Sequence, residues 1–136
     1  MLAVTLARTV GVDIERVRHF AEAEWIVRQY FSQAETVEFF ALPARLRTVA
    51  FFTGWTRKEA YLKALGGGWG NAPDGFDVTV SPDRPPRLLR APGMDAEEPW
   101  SLYQIDTKPG YLGAIAIPGF NHRVAYFDGF ETDMLC

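Results

Sequence analysis

"WTRKEAYLK", Trp55–Lys63, carries the pattern on which the fold turns. Its spacing is helical. Phe51 and Trp55 stand eight and four positions before Glu59, and Leu62 three after it, so the four side chains fall on one stripe. A stripe of that composition faces a core, where a carboxylate is costly unless a cation meets it. Lys63 follows Glu59 by four residues, in the order that adds about 0.2–0.5 kcal/mol to an exposed helix. That pair accounts for the lysine. It leaves the aromatic company of Glu59 unexplained.

Working outward, Pro43 suits the first turn of a helix running from about Ala44 to Leu65. The glycines at 66–68 end it, because glycine tolerates the left-handed conformation that closes helices. Upstream, "FSQAE" (31–35) starts another helix, with Ser32 three residues before Glu35 in capping-box spacing. From about Arg18 to Tyr30 the period is again helical, with Phe20, Trp25, Val27 and Tyr30 among charged residues. Before these, "LAVTLA" and "VGVDI" predict two short strands joined by a tight turn.

Beyond the glycines the period becomes that of strands. "FDVTV", "WSLYQI", "YLGAIAI" and "RVAYF" are β-branched or aromatic runs divided by Pro, Gly and Asp. The proline-rich segment 81–99 predicts a loop with at most a short strand. Strands, three helices and more strands make an α+β domain, its helices packed on a mainly antiparallel sheet. No repeat or interdomain linker divides residues 1–136, so a single domain is expected.

Bulk properties narrow the function. With 48% hydrophobic and 23% charged residues the chain is globular in composition, which argues against disorder. A net charge of −3 argues against a general nucleic-acid binder and leaves room for a local basic patch. The one cysteine, Cys136, makes neither an internal disulfide nor a zinc cluster. The first residues lack the basic lead of a signal peptide, and no window reaches the roughly 18 apolar residues of a membrane span. A cytoplasmic protein with no membrane partner is expected.

Alternation in "GVDIE" sends Asp13 and Glu15 to one face of a strand and Val12 and Ile14 to the other. Like charges that close repel unless a cation lies between them. Glu59 is a third carboxylate with the same need. Three carboxylates without histidine or cysteine describe a hard-ion site, and Mg²⁺ suits it best, since it takes a few carboxylates and completes its octahedron with water and phosphates. Lys58 and Lys63, with Arg57, are cations for such phosphates on the same helix. An exposed polar strand face and a simple helix-surface ion pair remain the alternatives. His19 and His122 read as surface or hydrogen-bonded histidines, and "GGGWG" lacks the Gly-Lys-Ser/Thr ending of a Walker loop.

"VGVDIE", "FSQAE" and "WTRKEAYLKALGGG", in this order and spacing, resemble the 4′-phosphopantetheinyl transferases, most closely the second half of the Sfp-type branch. The strand motif alone is weak, and the W-x-x-K-E-x-x-x-K helix is the specific part. The resemblance runs from the first residues past "FDVTV" to "PGYLGAIAI". It implies transfer of the phosphopantetheine arm of coenzyme A to a serine of an acyl or peptidyl carrier protein, releasing adenosine 3′,5′-bisphosphate. It also implies that Asp13, Glu15 and Glu59 bind Mg²⁺ and that Lys58 and Lys63 contact phosphate oxygens. Lys63 would stabilise the departing bisphosphate, Glu59 or Glu35 would serve as base, and Gly66 and Gly68 would lie near the coenzyme.

Sfp-type enzymes are pseudo-dimers, and the resemblance covers one half, without the first half and its Ser-His motif. Two expectations follow. Either the chain is an active transferase that forms a homodimer or trimer with sites between subunits, or it is a non-catalytic Mg²⁺-binding half-domain that a missing half or partner chain completes.

Overall fold

In the computed structural model, which describes residues 1–6, 8–66, 72–92 and 99–127, one long helix organises the rest. This helix, α3, spans Ala44–Leu65. Pro43 stands just before it as N-cap, and Gly66 ends it at φ 74°, donating its N–H to the Lys63 carbonyl. Both boundaries match the sequence signals.

The strand β1, Gly11–Arg16, pairs antiparallel with β5, Tyr111–Pro118. The other edge of β5 pairs antiparallel with β4, Trp100–Gln104, giving the order β1-β5-β4. The last strand thus lies between the first and its own predecessor, and α3 packs across both β1 and β5. A second, two-stranded sheet joins β2, Asp77–Val78, to β3, Leu88–Arg90. The helices α1, Ala23–Tyr30, and α2, Gln33–Ala41, close the other side of α3. The architecture is α+β with antiparallel sheets, as expected.

Small residues let α3 lie close to β1. A Cβ at Gly11 would stand 1.9 Å from the Ala60 carbonyl oxygen and 2.5 Å from the Ala64 nitrogen, so only glycine fits there. Away from the sheet the core is aromatic. Phe51 stacks on Phe31 at 6.2 Å and on Trp55 at 5.8 Å, and lies edge-on to Phe52 at 5.0 Å. The stripe Phe51, Trp55, Glu59, Leu62 therefore does face the interior, with Trp55 and Glu59 at its half-buried margin.

Four elements differ from expectation. The described part of "LAVTLA", residues 2–6, forms no strand: Leu2, Val4 and Leu6 are exposed, and no described strand offers them a ladder. "RVAYF" is likewise unpaired, with Phe127 exposed. Alternating apolar residues make a strand only where a partner supplies the backbone hydrogen bonds. The first helix starts at Ala23 rather than near Arg18, because Val17 still donates to the Gly110 carbonyl beside the sheet. "FDVTV" keeps only Asp77–Val78 as strand, its register shifting there. Gly68 and Cys136 lie outside the described residues, and among those described no helix is long and apolar enough to cross a membrane.

Candidate functional site

Gly11, Asp13 and Glu15 share the face of β1 that meets α3, which is why Asp13 is 7% exposed although it is a carboxylate on an edge strand. The cation that meets it comes from α3. Lys63 Nζ lies 2.7 Å from Asp13 Oδ1. Lys63 therefore pairs with Asp13 across the strand–helix interface, correcting the simple Glu59–Lys63 helix pair. Burial still pushes the Asp13 carboxyl above the ordinary carboxylate range, with Lys63 only partly offsetting it. Asp13 Oδ2 is buried and has no hydrogen-bond partner.

Glu15 and Glu59 belong to the same electrostatic unit. Burial raises the Glu59 carboxyl first, repulsion from Asp13 and Glu15 adds to it, and Lys63 opposes. Glu15 is raised by burial and then by Asp13, against Arg18, Lys63 and the nearby indole of Trp55. The strand and helix thus meet, and Asp13, Glu15, Glu59 and Lys63 act on one another. The donor chemistry fits a hard cation: oxygen ligands only, one of them an orphaned carboxylate oxygen. As they stand, however, no three Asp, Glu, His or Cys side chains among the described residues are grouped closely enough to hold an ion. Lys63 supplies the positive charge at Asp13, and repulsion among the carboxylates favours their separation.

The remaining expected residues lie elsewhere. Lys58 is 3% exposed and directs its ammonium inward, 2.8 Å from each oxygen of Glu35 and 2.9 Å from the Phe76 carbonyl. It is not presented to a phosphate in solvent. Glu35 is 1% exposed. Besides Lys58 it accepts the N–H groups of Ser32 and Val78, which leaves it no free acceptor for a substrate proton. Burial raises the Glu35 carboxyl and lowers the Lys58 ammonium, each opposed by its partner. The capping box at Ser32 and Glu35 is present as the sequence indicated. The link from Glu35 to Lys58 crosses 23 residues and has no local sequence signal.

Arg57 is likewise interior. Its guanidinium donates to Thr79 O at 2.7 Å and Thr79 Oγ1 at 2.9 Å, and burial pushes its pKa down to about 10. Gly66 serves the end of α3. A shallow hollow opens beside Glu59, lined by Tyr30, Phe31, Trp55, Lys58, Leu62 and Pro73. His122 faces Tyr103, ring Nδ1 to hydroxyl at 3.0 Å, away from these residues in the chain.

Comparison with known proteins identifies the family and the fold. The family model of the 4′-phosphopantetheinyl transferase superfamily matches residues 9–116. The chain is 31% identical over 127 residues to the 4′-phosphopantetheinyl transferase HetI of Nostoc sp., covering 93% of this chain and 51% of that protein. It is 31% identical over 106 residues to psf-1 of Bacillus pumilus, a 4′-phosphopantetheinyl transferase, covering 78% and 43%. The chain spans about half the length of these curated relatives. Among solved structures, the holo-[acyl-carrier-protein] synthase of Thermotoga maritima superposes with TM-score 0.57 at 22% identity, covering 83% of this chain and 64% of that one. The Chronobacterium ammoniagenes ACPS–CoA complex superposes at 0.60 and 21% identity, covering 86% and 100%. These two share the fold.

Proposed function

The chain belongs to the 4′-phosphopantetheinyl transferase superfamily, and on that premise we propose that it transfers the 4′-phosphopantetheine arm of coenzyme A to a serine of an acyl or peptidyl carrier protein. The observation that carries this reading is the junction of β1 and α3. Asp13, Glu15 and Glu59 there raise or sense one another's protonation around Lys63, beside a hollow that Glu59 helps to line.

Asp13, Glu15 and Glu59 would hold Mg²⁺, the orphaned Asp13 Oδ2 being an available ligand atom. When bound, the ion would neutralise the coenzyme's pyrophosphate. The serine oxygen attacks the phosphorus that carries the pantetheine arm. The phosphoanhydride bond breaks, and adenosine 3′,5′-bisphosphate leaves with the bonding electron pair. Lys63, half exposed and paired with Asp13, turns its ammonium to the leaving phosphate. Glu59, which lines the hollow, takes the serine proton. Lys58 and Glu35 have no direct contact with substrate in this reading, because they are spent on each other.

A second reading is a non-catalytic, cation-binding half that another chain completes. What favours it is that the relatives at 31% identity are about twice as long. In the first reading a homodimer or trimer supplies the missing surface, and the exposed Leu2, Val4, Leu6 and Phe120 are the apolar residues available for it. Incubation with coenzyme A, Mg²⁺ and a panel of carrier proteins separates the two: a carrier that gains the arm supports the first, and Mg²⁺ binding without transfer supports the second.

A further inference from the structure

Glu35 and Lys58 form a buried ion pair one residue along α3 from Glu59. Burying two charges is no efficient way to stabilise a fold, and apolar residues of similar volume often do as well or better. The pair does something apolar residues cannot: it fixes direction. The two oxygens of Glu35 receive Ser32 N at 2.9 Å, Val78 N at 2.7 Å and Lys58 Nζ at 2.8 Å. Lys58 adds a bond to the Phe76 carbonyl and sits 4.0 Å over the Phe76 ring. One carboxylate thereby joins the start of α2, the middle of α3 and β2.

The other side of α3 is held differently. Ala60 and Ala64 press their backbone against Gly11 of β1. With 3.6 residues per turn, positions 58 and 60 lie on opposite sides of the helix and position 59 lies between them. Glu59 is flanked by an ion-pair anchor on one side and a close backbone contact on the other. Trp55, one turn earlier, lies near enough to Glu15 for its indole N–H to act on that carboxylate.

We propose that Glu35 and Lys58 are positioning residues that set the rotation of α3, so that Glu59 and Trp55 are held toward Asp13 and Glu15. This rests on the assignment of Glu59 to the transferase site. Neither residue of the pair touches the reacting atoms, and the directional bonds rather than net stability are what the pair supplies.

The test is the apolar double variant Glu35→Leu/Lys58→Met, with Glu35→Gln measured in parallel in case the first does not fold. Thermal melts establish folding. The Trp55 indole N–H resonance, assigned with Trp55→Phe, reports helix rotation without metal or substrate, and Mn²⁺ titration reports the carboxylates. The expected result is a folded variant whose Trp55 indole signal is displaced and exchanges faster, with Mn²⁺ bound about tenfold or more weakly. A folded variant with the wild-type Trp55 signal and exchange rate overturns the proposal. Failure of wild-type protein to bind Mn²⁺ would instead count against the site assignment, while the Trp55 signal still decides positioning.

Discussion

Lys63 Nζ stands 2.7 Å from Asp13 Oδ1, across 50 residues of sequence. The aspartate is 7% exposed and the lysine 50%, so the carboxylate is built in and its cation arrives from the solvent side. A lysine so placed can exchange one anion for another at little cost in side-chain burial.

Lys63→Ala should therefore act on rate more than on fold. Losing a group that stabilises the leaving phosphate lowers transfer by roughly a hundredfold or more. Leaving Asp13 unpaired costs about 1–3 kcal/mol of stability. Kinetics and urea melts on the same preparation separate the two, and a folded variant with wild-type rate would remove Lys63 from the site.

The pH dependence follows from the raised carboxyls. Asp13, Glu15 and Glu59 lie above their ordinary values of 3.8 and 4.5, burial being the first cause in each and repulsion from Asp13 the second at Glu15 and Glu59. The folded chain thus binds protons more tightly than the unfolded one. The stability these groups contribute is present below the unfolded values and is lost as pH rises through the folded ones. Glu59→Gln should flatten that fall. Mg²⁺ should reverse it at neutral pH, by about 2.7 kcal/mol at a hundredfold excess over Kd. Melts across this range with and without Mg²⁺ check the sign, and a Tm gain no larger at neutral than at acid pH would be the wrong one.

Gly11→Ala tests the close approach of strand and helix. The added carbon would meet the backbone of Ala60 and Ala64, which cannot turn aside as a side chain can. Overpacking of this kind costs about 1–3 kcal/mol or more. Since Asp13 lies two residues on, transfer should fall as well. Wild-type stability and rate in this variant would contradict the packing described.

Arg57→Met separates neighbours on α3. Arg57 binds the Thr79 carbonyl and hydroxyl, not the carboxylate site. Its loss leaves the buried Thr79 carbonyl unpaired, at about 1–3 kcal/mol. Transfer per folded molecule should stay near wild type. A folded variant with abolished turnover would show that the Arg57 region takes part in the reaction.

Much of this was legible in the chain. Pro43 and Gly66 bracket α3, and Ser32 and Glu35 make the capping box, because these signals act within a few residues. The alternation that aims Asp13 at α3 is equally local. What could not be read is where long-range partners come from. Lys58 and Lys63 are both lysines on one helix, yet one turns inward to Glu35 and the other reaches Asp13. Their difference is set by which element packs beside each, and no spacing within α3 records that. "LAVTLA" and "RVAYF" mislead for a related reason. Alternation describes a strand's faces, and pairing needs a neighbour that the segment itself does not encode.

Transfer at the β1–α3 junction is measured directly by mass spectrometry of an apo carrier protein incubated with this chain, coenzyme A and Mg²⁺. The serine of the carrier should gain one phosphopantetheine arm with wild-type protein and fail to do so with folded Glu59→Gln or Asp13→Asn. Loading by those variants at the wild-type rate, or none by the folded wild-type chain on any carrier tried, would contradict it.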